Sequence, residues 1–168
     1  MPMRFRKFLR DSLKLYVDMD GVLTDFDGSF RKATGRIPDE FEKKEGKEAF
    51  WDRVEKEGLE FWSEMPWTKD GKSLWKSLRP HKPVILSSPS RSKHCREGKK
   101  SWVKRELGDV RLILIKDKHK YAEKNAVLID DNKGKIQNWE NAGGAGILFK
   151  SSAQALRELR EKTHGEHV

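Results

Sequence analysis

Two pairs of acidic residues follow short apolar runs in this chain, at Asp18 and Asp20 and again at Asp130 and Asp131. Gly21, directly after the first pair, permits the tight backbone that the chain needs to turn away from a strand. Adjacent acids such as Asp130 and Asp131 raise one another's proton affinity and need a cation or hydrogen-bond donors nearby. Oxygen ligands with room for water suit Mg²⁺ better than zinc. All four aspartates are therefore candidate metal ligands.

Groups that suit a phosphate occur in two other parts of the chain. Ser87 and Ser88 follow the apolar run 83–86, where a serine hydroxyl either donates to a phosphate oxygen or caps the next helix. Lysines are dense in the segment 116–120, a charge cluster that also fits a solvated loop. Three carboxylates with a neighbouring lysine and serine are typical of a site for a hard cation and a phosphate.

Five strand-sized apolar runs would position these side chains, and they cover residues 13–17, 83–87, 110–115, 126–130 and 145–149. Helical patterns at residues 25–34, about 91–107, 133–141 and 151–162 alternate with them. This alternation predicts an α/β fold: a Rossmann-like parallel sheet of about five strands, flanked by helices. If the first and fourth strands are neighbours where the strand order reverses, Asp18, Asp20 and Asp130 converge in one crevice.

The segment 26–78 differs in character from the rest of the chain. It is rich in Glu, Lys and aromatic residues and has no β-branched run typical of a central strand. We predict a small helical cap here, inserted after the first strand of a single domain that spans residues 1–168. Its aromatic rings either pack on one another or form a flat wall for a planar ligand.

Composition limits the class of protein and its partners. Six Trp and eight Phe exclude a disordered chain, and the net charge of +9 either attracts phosphate-bearing partners or serves solubility. The basic segment 4–8 either contacts nucleic acid or packs its two Phe rings on the domain. One cysteine, Cys95, excludes an internal disulfide and favours a reducing compartment. With no secretory signal in residues 1–10 and no apolar stretch of membrane-spanning length, we expect a soluble, cytoplasmic protein without a membrane partner.

The motifs resemble the four signature motifs of the haloacid dehalogenase superfamily of phosphatases. They are Asp18-Met19-Asp20-Gly21-Val22, Ser87 after an apolar strand, a lysine within 116–120, and Ile129-Asp130-Asp131, in the order and spacing of that superfamily. Over about residues 12–150 the chain is similar to the 5′(3′)-deoxyribonucleotidase family within it. That similarity rests on residues 17–23 with Asp25-Phe26, Ser87-Ser88-Pro89, Lys99 with Trp102-Val103, and residues 128–131.

The resemblance implies a role for each acid. Asp18 would be the nucleophile that forms an aspartyl-phosphate, and Asp20 would be the general acid and then the general base. Mg²⁺ would be held by Asp18, by the backbone carbonyl of Asp20 and by Asp130, with Asp131 in support.

The resemblance also implies the groups that bind the substrate. Ser87 and Ser88 would hold phosphate oxygens, and a lysine would balance the charge of the acyl-phosphate. We favour Lys120, ten residues before Asp130, over Lys118, which follows Asp117. The remaining candidates for substrate contact are Lys99, Lys118 and the cap aromatics Phe26, Trp51, Phe61 and Trp62.

The implied function is a Mg²⁺-dependent 5′-nucleotidase that hydrolyses nucleoside monophosphates, with deoxyribonucleotides favoured. Two alternatives stay open. The first, motivated by the positive charge, is a phosphatase that acts on DNA or RNA ends. The second is a nucleic-acid-binding protein with a vestigial phosphatase site.

Overall fold

A computed structural model of the protein describes residues 13–164. The strands are β1 (Lys14–Val17), β2 (Val84–Ser87), β3 (Leu112–Leu114), β4 (Ala126–Asp130) and β5 (Ala145–Leu148). The helices in this range are α1 (Phe26–Thr34), α2 (Pro38–Glu45), α3 (Lys47–Lys56), α4 (Gly58–Ser63), α5 (Gly71–Leu78), α6 (Cys95–Glu106), α7 (Lys133–Asn141) and α8 (Ser152–His164). Short 3-10 turns cover Arg79–His81 and Lys118–Tyr121.

The five strands form one sheet in the order β3-β2-β1-β4-β5, and all neighbours are parallel. Every residue of β4 is buried, as expected for a central strand covered on both faces. On one face, Leu15 and Val17 join a core with α5, α6 and α8. On the other face, the Tyr16 ring packs 5.3 Å from the Trp139 ring of α7. The predicted α/β fold with a Rossmann-like parallel sheet is confirmed.

Helices α1 to α4 lie between β1 and β2 and pack around a cluster of aromatic rings. Neighbouring ring centroids in this cluster lie 4.8–6.4 Å apart. Its members are Phe26, Phe30, Phe41, Phe50, Trp51, Phe61 and Trp62. Helix α4 packs closely on α6, since a Cβ atom built on Gly98 would lie 2.3 Å from Cβ of Trp62. Helix α5, the last helix of the predicted 26–78 cap, packs against α8.

The structure shortens two of the predicted elements. Helix α6 begins at Cys95 rather than near residue 91, because the hydroxyls of Ser90 and Ser92 accept hydrogen bonds from the backbone N–H groups of Ser92 and His94. Such local bonds offer the backbone an alternative to helix. Strand β3 covers only Leu112–Leu114 of the predicted run 110–115.

Two expectations concerned nucleic acid and membranes as partners of the chain. The basic segment 4–8, for which a nucleic-acid contact and packing of its two Phe rings were both left open, lies outside the described residues. Among the helices of residues 13–164, none combines the length and the apolar composition needed to cross a membrane.

Candidate active site

The carboxyl ends of β1 and β4 lie side by side at the point where the strand order reverses. Asp18 follows β1 directly, and its backbone N–H donates to the carbonyl of Ile129 at 3.0 Å. Asp130 is the last residue of β4, and Asp131 follows it. Asp18, Asp130 and Asp131 offer carboxylate oxygens that all lie within 4.8 Å of one another. The structure therefore brings together three of the four predicted metal ligands.

Lys118 lies inside this carboxylate cluster. Its Nζ donates to Oδ1 of Asp18 at 2.7 Å and to Oδ2 of Asp130 at 2.6 Å, and the lysine is 2% exposed. Lys120 instead has a side chain that is 62% exposed and pairs with Asp117 at 3.4 Å. In the 3-10 turn Lys118–Tyr121 a step of two residues is about two thirds of a revolution, so the two lysines point in different directions. We therefore correct the preference for Lys120: Lys118 is the lysine at the carboxylates.

The cluster carries more negative charge than Lys118 balances. Burial raises the pKa of Asp18 well above its usual value; Lys118 opposes this shift, and Asp130 and Asp131 add to it. Asp131 is exposed as a residue, but its carboxyl group lies against Gly21. Burial there, together with the charge of Asp130, raises the pKa of Asp131 to about 6. Three carboxyl groups facing one ammonium fit a divalent cation, whose charge would compensate the surplus.

Gly21 makes the close approach of Asp131 possible. Its φ of 85° lies in the left-handed region, and a Cβ atom at this position would lie 1.9 Å from Oδ2 of Asp131. Both the backbone conformation and the space therefore require glycine. The tight turn that contains it is closed by a hydrogen bond from the N–H of Gly21 to the carbonyl of Thr24 at 2.8 Å.

A second lysine joins the end of β1 to the end of β2. The Nζ atom of Lys99, on α6, donates to Oδ2 of Asp20 at 2.8 Å, to Oγ of Ser87 at 2.8 Å and to the carbonyl of Ser88 at 3.0 Å. Burial lowers the pKa of Lys99, but the surrounding negative groups, Asp20 foremost and Asp18 among them, together leave the net shift upward. Thr24 Oγ1 donates to the other oxygen of Asp20 at 2.8 Å. Thr24 and Lys99 therefore hold the two carboxylate oxygens of Asp20. Asp20 does not belong to the group formed by Asp18, Asp130 and Asp131.

A cavity of about 550 Å³ opens beside these residues. Asp20, Lys99, Asp131 and Ser88 line its charged end. The Ser88 hydroxyl is buried and has no hydrogen-bond partner among the described residues. Because a buried unpaired hydroxyl is costly, this group is suited to donate to a ligand oxygen. Ser87 does not line the cavity, since its hydroxyl is buried under Lys99.

Three of the four predicted aromatic contacts also line the cavity, and we call them its aromatic end: Phe26, Trp51 and Trp62. This part adjoins the charged one, since the Trp62 ring centroid lies 5.5 Å from Nζ of Lys99. Phe61 is 8% exposed and lies behind Phe26, with ring centroids 5.4 Å apart in an edge-to-face arrangement. Phe61 packs behind the wall and does not line the cavity, so the structure does not bring it together with the other three predicted contacts.

Sequence reasoning gave no role to several residues at the site. Thr24 is buried outside the cavity lining but holds Asp20; it belongs to no recognised motif, and its only signal is a position four residues after Asp20. Asp25 and Asp27 line the cavity, and Asp25 caps α1 by accepting from the N–H of Gly28 at 2.9 Å. Burial and then the charges of Asp39 and Asp25 raise the pKa of Asp27. These acids precede or begin a helix, where a capping role is the usual explanation.

Comparison with known proteins shows a shared fold. No family model matches the chain, and no curated protein matches it. The crystal structure of a hydrolase from Streptococcus pneumoniae TIGR4 is similar, with a TM-score of 0.53 and 13% identity over 88% of this chain and 97% of that one. A β-phosphoglucomutase candidate from Thermotoga maritima gives a TM-score of 0.47 and 16% identity over 89% of this chain and 99% of that one. At 13% identity, the likeness to the hydrolase shows that the two chains share a fold.

Proposed function

We propose that this chain is a Mg²⁺-dependent phosphatase of the haloacid dehalogenase superfamily that hydrolyses nucleoside monophosphates. The observation that carries the proposal is the meeting of Asp18, Asp130, Asp131 and Lys118 at the ends of β1 and β4. An α/β fold shared with a known hydrolase supports it, as do the motifs around these residues.

The proposed reaction proceeds by two displacements at phosphorus. A carboxylate oxygen of Asp18 attacks the phosphorus atom, and the bond from phosphorus to the leaving oxygen breaks while Asp20 protonates that oxygen. Water then attacks the aspartyl-phosphate, Asp20 takes its proton, and the bond between phosphorus and Asp18 breaks to release phosphate. Asp20 must keep one orientation through both steps, and its contacts with Thr24 and Lys99 support that role.

The carboxylates of Asp18, Asp130 and Asp131 would hold the Mg²⁺ ion, since their oxygens are close together and their negative charge exceeds that of Lys118. When bound, the ion would lower the repulsion between the anionic nucleophile and the anionic phosphate. The proposed contact with the backbone carbonyl of Asp20 follows from the family resemblance.

The substrate phosphate would lie between the two lysines at the charged end of the cavity. Lys118 would balance the charge that develops on the phosphoryl oxygens, because its ammonium group already contacts the nucleophile. Ser88 would donate its unpaired hydroxyl to one of these oxygens. Lys99 would hold Asp20 and Ser87 in place beside the phosphate, since its three N–H groups already donate to Asp20, Ser87 and Ser88.

The nucleoside would occupy the aromatic end of the cavity. Phe26, Trp51 and Trp62 offer ring faces on which a base can stack, at about 1–3 kcal/mol for each stacked base. The volume of about 550 Å³ is in the range of ligand pockets for molecules of nucleotide size. The preference for a 5′-phosphate on deoxyribose is proposed from the resemblance to the 5′(3′)-deoxyribonucleotidase family, and the cytoplasmic location from the single cysteine.

A phosphate-release screen tests this function. All ribo- and deoxyribonucleoside monophosphates are offered with Mg²⁺ and again with a chelator, next to a small alkyl phosphate. We expect release from deoxyribonucleoside 5′-monophosphates that requires Mg²⁺ and exceeds release from the alkyl phosphate. A screen without any Mg²⁺-dependent release would reject the proposal and favour the vestigial site.

A further inference from the structure

Positive charge is concentrated in the segment 91–106, which contains α6. This segment has seven Lys or Arg and two Asp or Glu, whereas the segment 38–64, which contains α2 to α4, has five Lys or Arg and ten Asp or Glu. The net charge of +9 is therefore distributed unevenly along the chain. Some of these positive groups form ion pairs with acidic residues, and others do not.

Some basic groups of the segment 91–106 face the acidic helices. Arg91 lies 3.9 Å from Glu48, His94 lies 3.8 Å from Glu55, and Arg105 pairs with Glu64 at 3.1 Å and with its neighbour Glu106. Lys99 is buried under Asp20. These contacts account for the side of α6 that faces the helices α3 and α4.

Four basic residues remain, and we call them the α6 basic face: Lys93, Arg96, Lys100 and Lys104. All four are exposed, and none forms an ion pair with another residue of the range 13–164. One acid, Glu97, is exposed beside them, so the face keeps a surplus of three positive charges.

The spacing of these residues produces a line of charge. Arg96, Lys100 and Lys104 follow one another at intervals of four residues on α6, which is about 6 Å along a helix axis, and they fall within about one quarter of its circumference. Lys93 precedes the helix on the loop that includes Pro89 and Ser90, both of which line the cavity. The line therefore starts near the proposed active site and runs away from it.

A linear polyanion fits this face better than a membrane does. Binding to a lipid surface normally combines positive charge with apolar side chains, and the one large apolar residue exposed in the range 13–164 is Ile37, on the segment between α1 and α2. A nucleic-acid strand carries regularly spaced phosphates that a row of Lys and Arg neutralises one by one. The loop at the start of the row lines, through Pro89 and Ser90, the same cavity whose aromatic rings suit a base.

We propose that the α6 basic face binds the sugar-phosphate backbone of a single-stranded nucleic acid. The strand would lie along Lys93, Arg96, Lys100 and Lys104, with one end directed at the cavity. This inference extends the proposed function, because it adds a polynucleotide to the ligands of the protein. Its test reads binding alone and does not depend on turnover.

The test is fluorescence anisotropy of the full chain with a labelled oligonucleotide of about 12 nucleotides that lacks a terminal phosphate, in DNA and RNA forms. The variant is Arg96→Gln/Lys100→Gln/Lys104→Gln. The matched control is Arg157→Gln/Arg160→Gln/Lys162→Gln, which removes the same charge from exposed positions of α8. Helix α8 contacts β5, at the sheet edge opposite β3, so the control leaves the α6 side intact.

We expect the logarithm of the wild-type binding constant to fall with the logarithm of salt concentration with a slope of about −3, as for about four phosphate contacts. The α6 variant should bind more weakly, with a slope of about −1, while the α8 control keeps the wild-type slope. A DNA or RNA preference identifies the kind of strand, and either one supports the proposal.

The proposal would be overturned if the wild type does not bind the oligonucleotide at 50 mM salt, or if both triple variants lose the same affinity for it. Tighter α6-dependent binding to phosphatidylserine vesicles than to the oligonucleotide would also overturn it. Release of phosphate from mononucleotides is measured on the same samples and should be equal in the wild type and the α6 variant. If the wild type binds the strand but releases no phosphate, the proposed function fails and the basic face stands. If the wild type releases phosphate but does not bind the strand, the proposed function stands and the proposal for the basic face fails.

Discussion

The two ends of the cavity are built in different ways. Beside the charged end, Asp18 and Asp130 are attached to the ends of adjacent strands, whose ladder fixes their backbones relative to one another. At the aromatic end, Trp51 and Trp62 come from α3 and α4, which are held by side-chain packing in the ring cluster. The first group contains the residues proposed to act on phosphorus, and the second contains the rings proposed to bind the base. Changes at the charged end should therefore alter turnover, and changes at the aromatic end should alter substrate affinity and choice.

The largest effect is expected from Asp18→Asn. The amide is nearly isosteric with the carboxylate but is not a nucleophile, so kcat should fall by at least about 10³-fold. The rate of phosphate release at saturating nucleotide measures kcat. The control is the same change at an exposed position, Asp109→Asn, which should leave kcat unchanged. Retention of more than a tenth of the activity in Asp18→Asn would remove Asp18 from the nucleophile's role.

The next effect distinguishes the two lysines of the segment 118–120. Lys118→Gln should lower kcat by about 10²-fold, because it removes a charge that would stabilise the phosphoryl transition state. Lys120→Gln should stay within about two-fold, since its side chain is exposed and its ion pair with Asp117 is at the surface. Steady-state kinetics of both variants measure the difference. A larger loss in Lys120→Gln would restore the interpretation from spacing alone.

A smaller effect, of another kind, is expected at the aromatic end. Trp51→Ala should raise KM for nucleotides by about ten-fold and leave kcat nearly unchanged, because stacking binds the base without touching the phosphate. The internal control is a small alkyl phosphate, for which kcat/KM should not change. An equal loss for both substrates would mean that Trp51 supports the charged end as well.

The smallest effect concerns Mg²⁺ and pH. The folded protein without metal binds protons at Asp18 and Asp131 more tightly than the unfolded chain, so its stability should fall as pH rises from about 4 through the pKa of Asp131, about 6. Mg²⁺ binds the ionised carboxylates, so it should stabilise the folded protein more at pH 7.5 than at pH 5. We expect the rise in Tm on adding Mg²⁺ to be about 4 °C larger at pH 7.5. Thermal unfolding with and without Mg²⁺ measures this. The pH dependence should shrink in Asp131→Asn, and an unchanged dependence there would contradict the assignment.

The contrast between the two ends also explains what the sequence could predict. Apolar runs that end in acids mark strand ends, and the carboxyl ends of parallel strands share one edge, so the meeting of Asp18 with Asp130 followed from pattern and topology. The choice between Lys118 and Lys120 depended on the orientation of a single 3-10 turn, which spacing does not encode.

At the aromatic end, the sequence could not separate Phe61 from Trp62. The two are adjacent on α4, and which ring lines the cavity depends on how that short helix packs on α6 and on the ring cluster. The unpaired basic groups of α6 escaped prediction for a related reason. Their distinction from Arg91 and Arg105 arises from acidic partners distant in sequence.

The absence of a side chain at Gly98 has a consequence for the wall of the cavity. Because α4 and α6 pack this closely there, the ring of Trp62 on α4 lies beside the ammonium group of Lys99 on α6, 5.5 Å from ring centroid to Nζ. A hinged lid that swings the ring of Trp62 away from the lysine would have to separate these two helices first. A larger side chain at position 98 would likewise push the tryptophan away from the lysine.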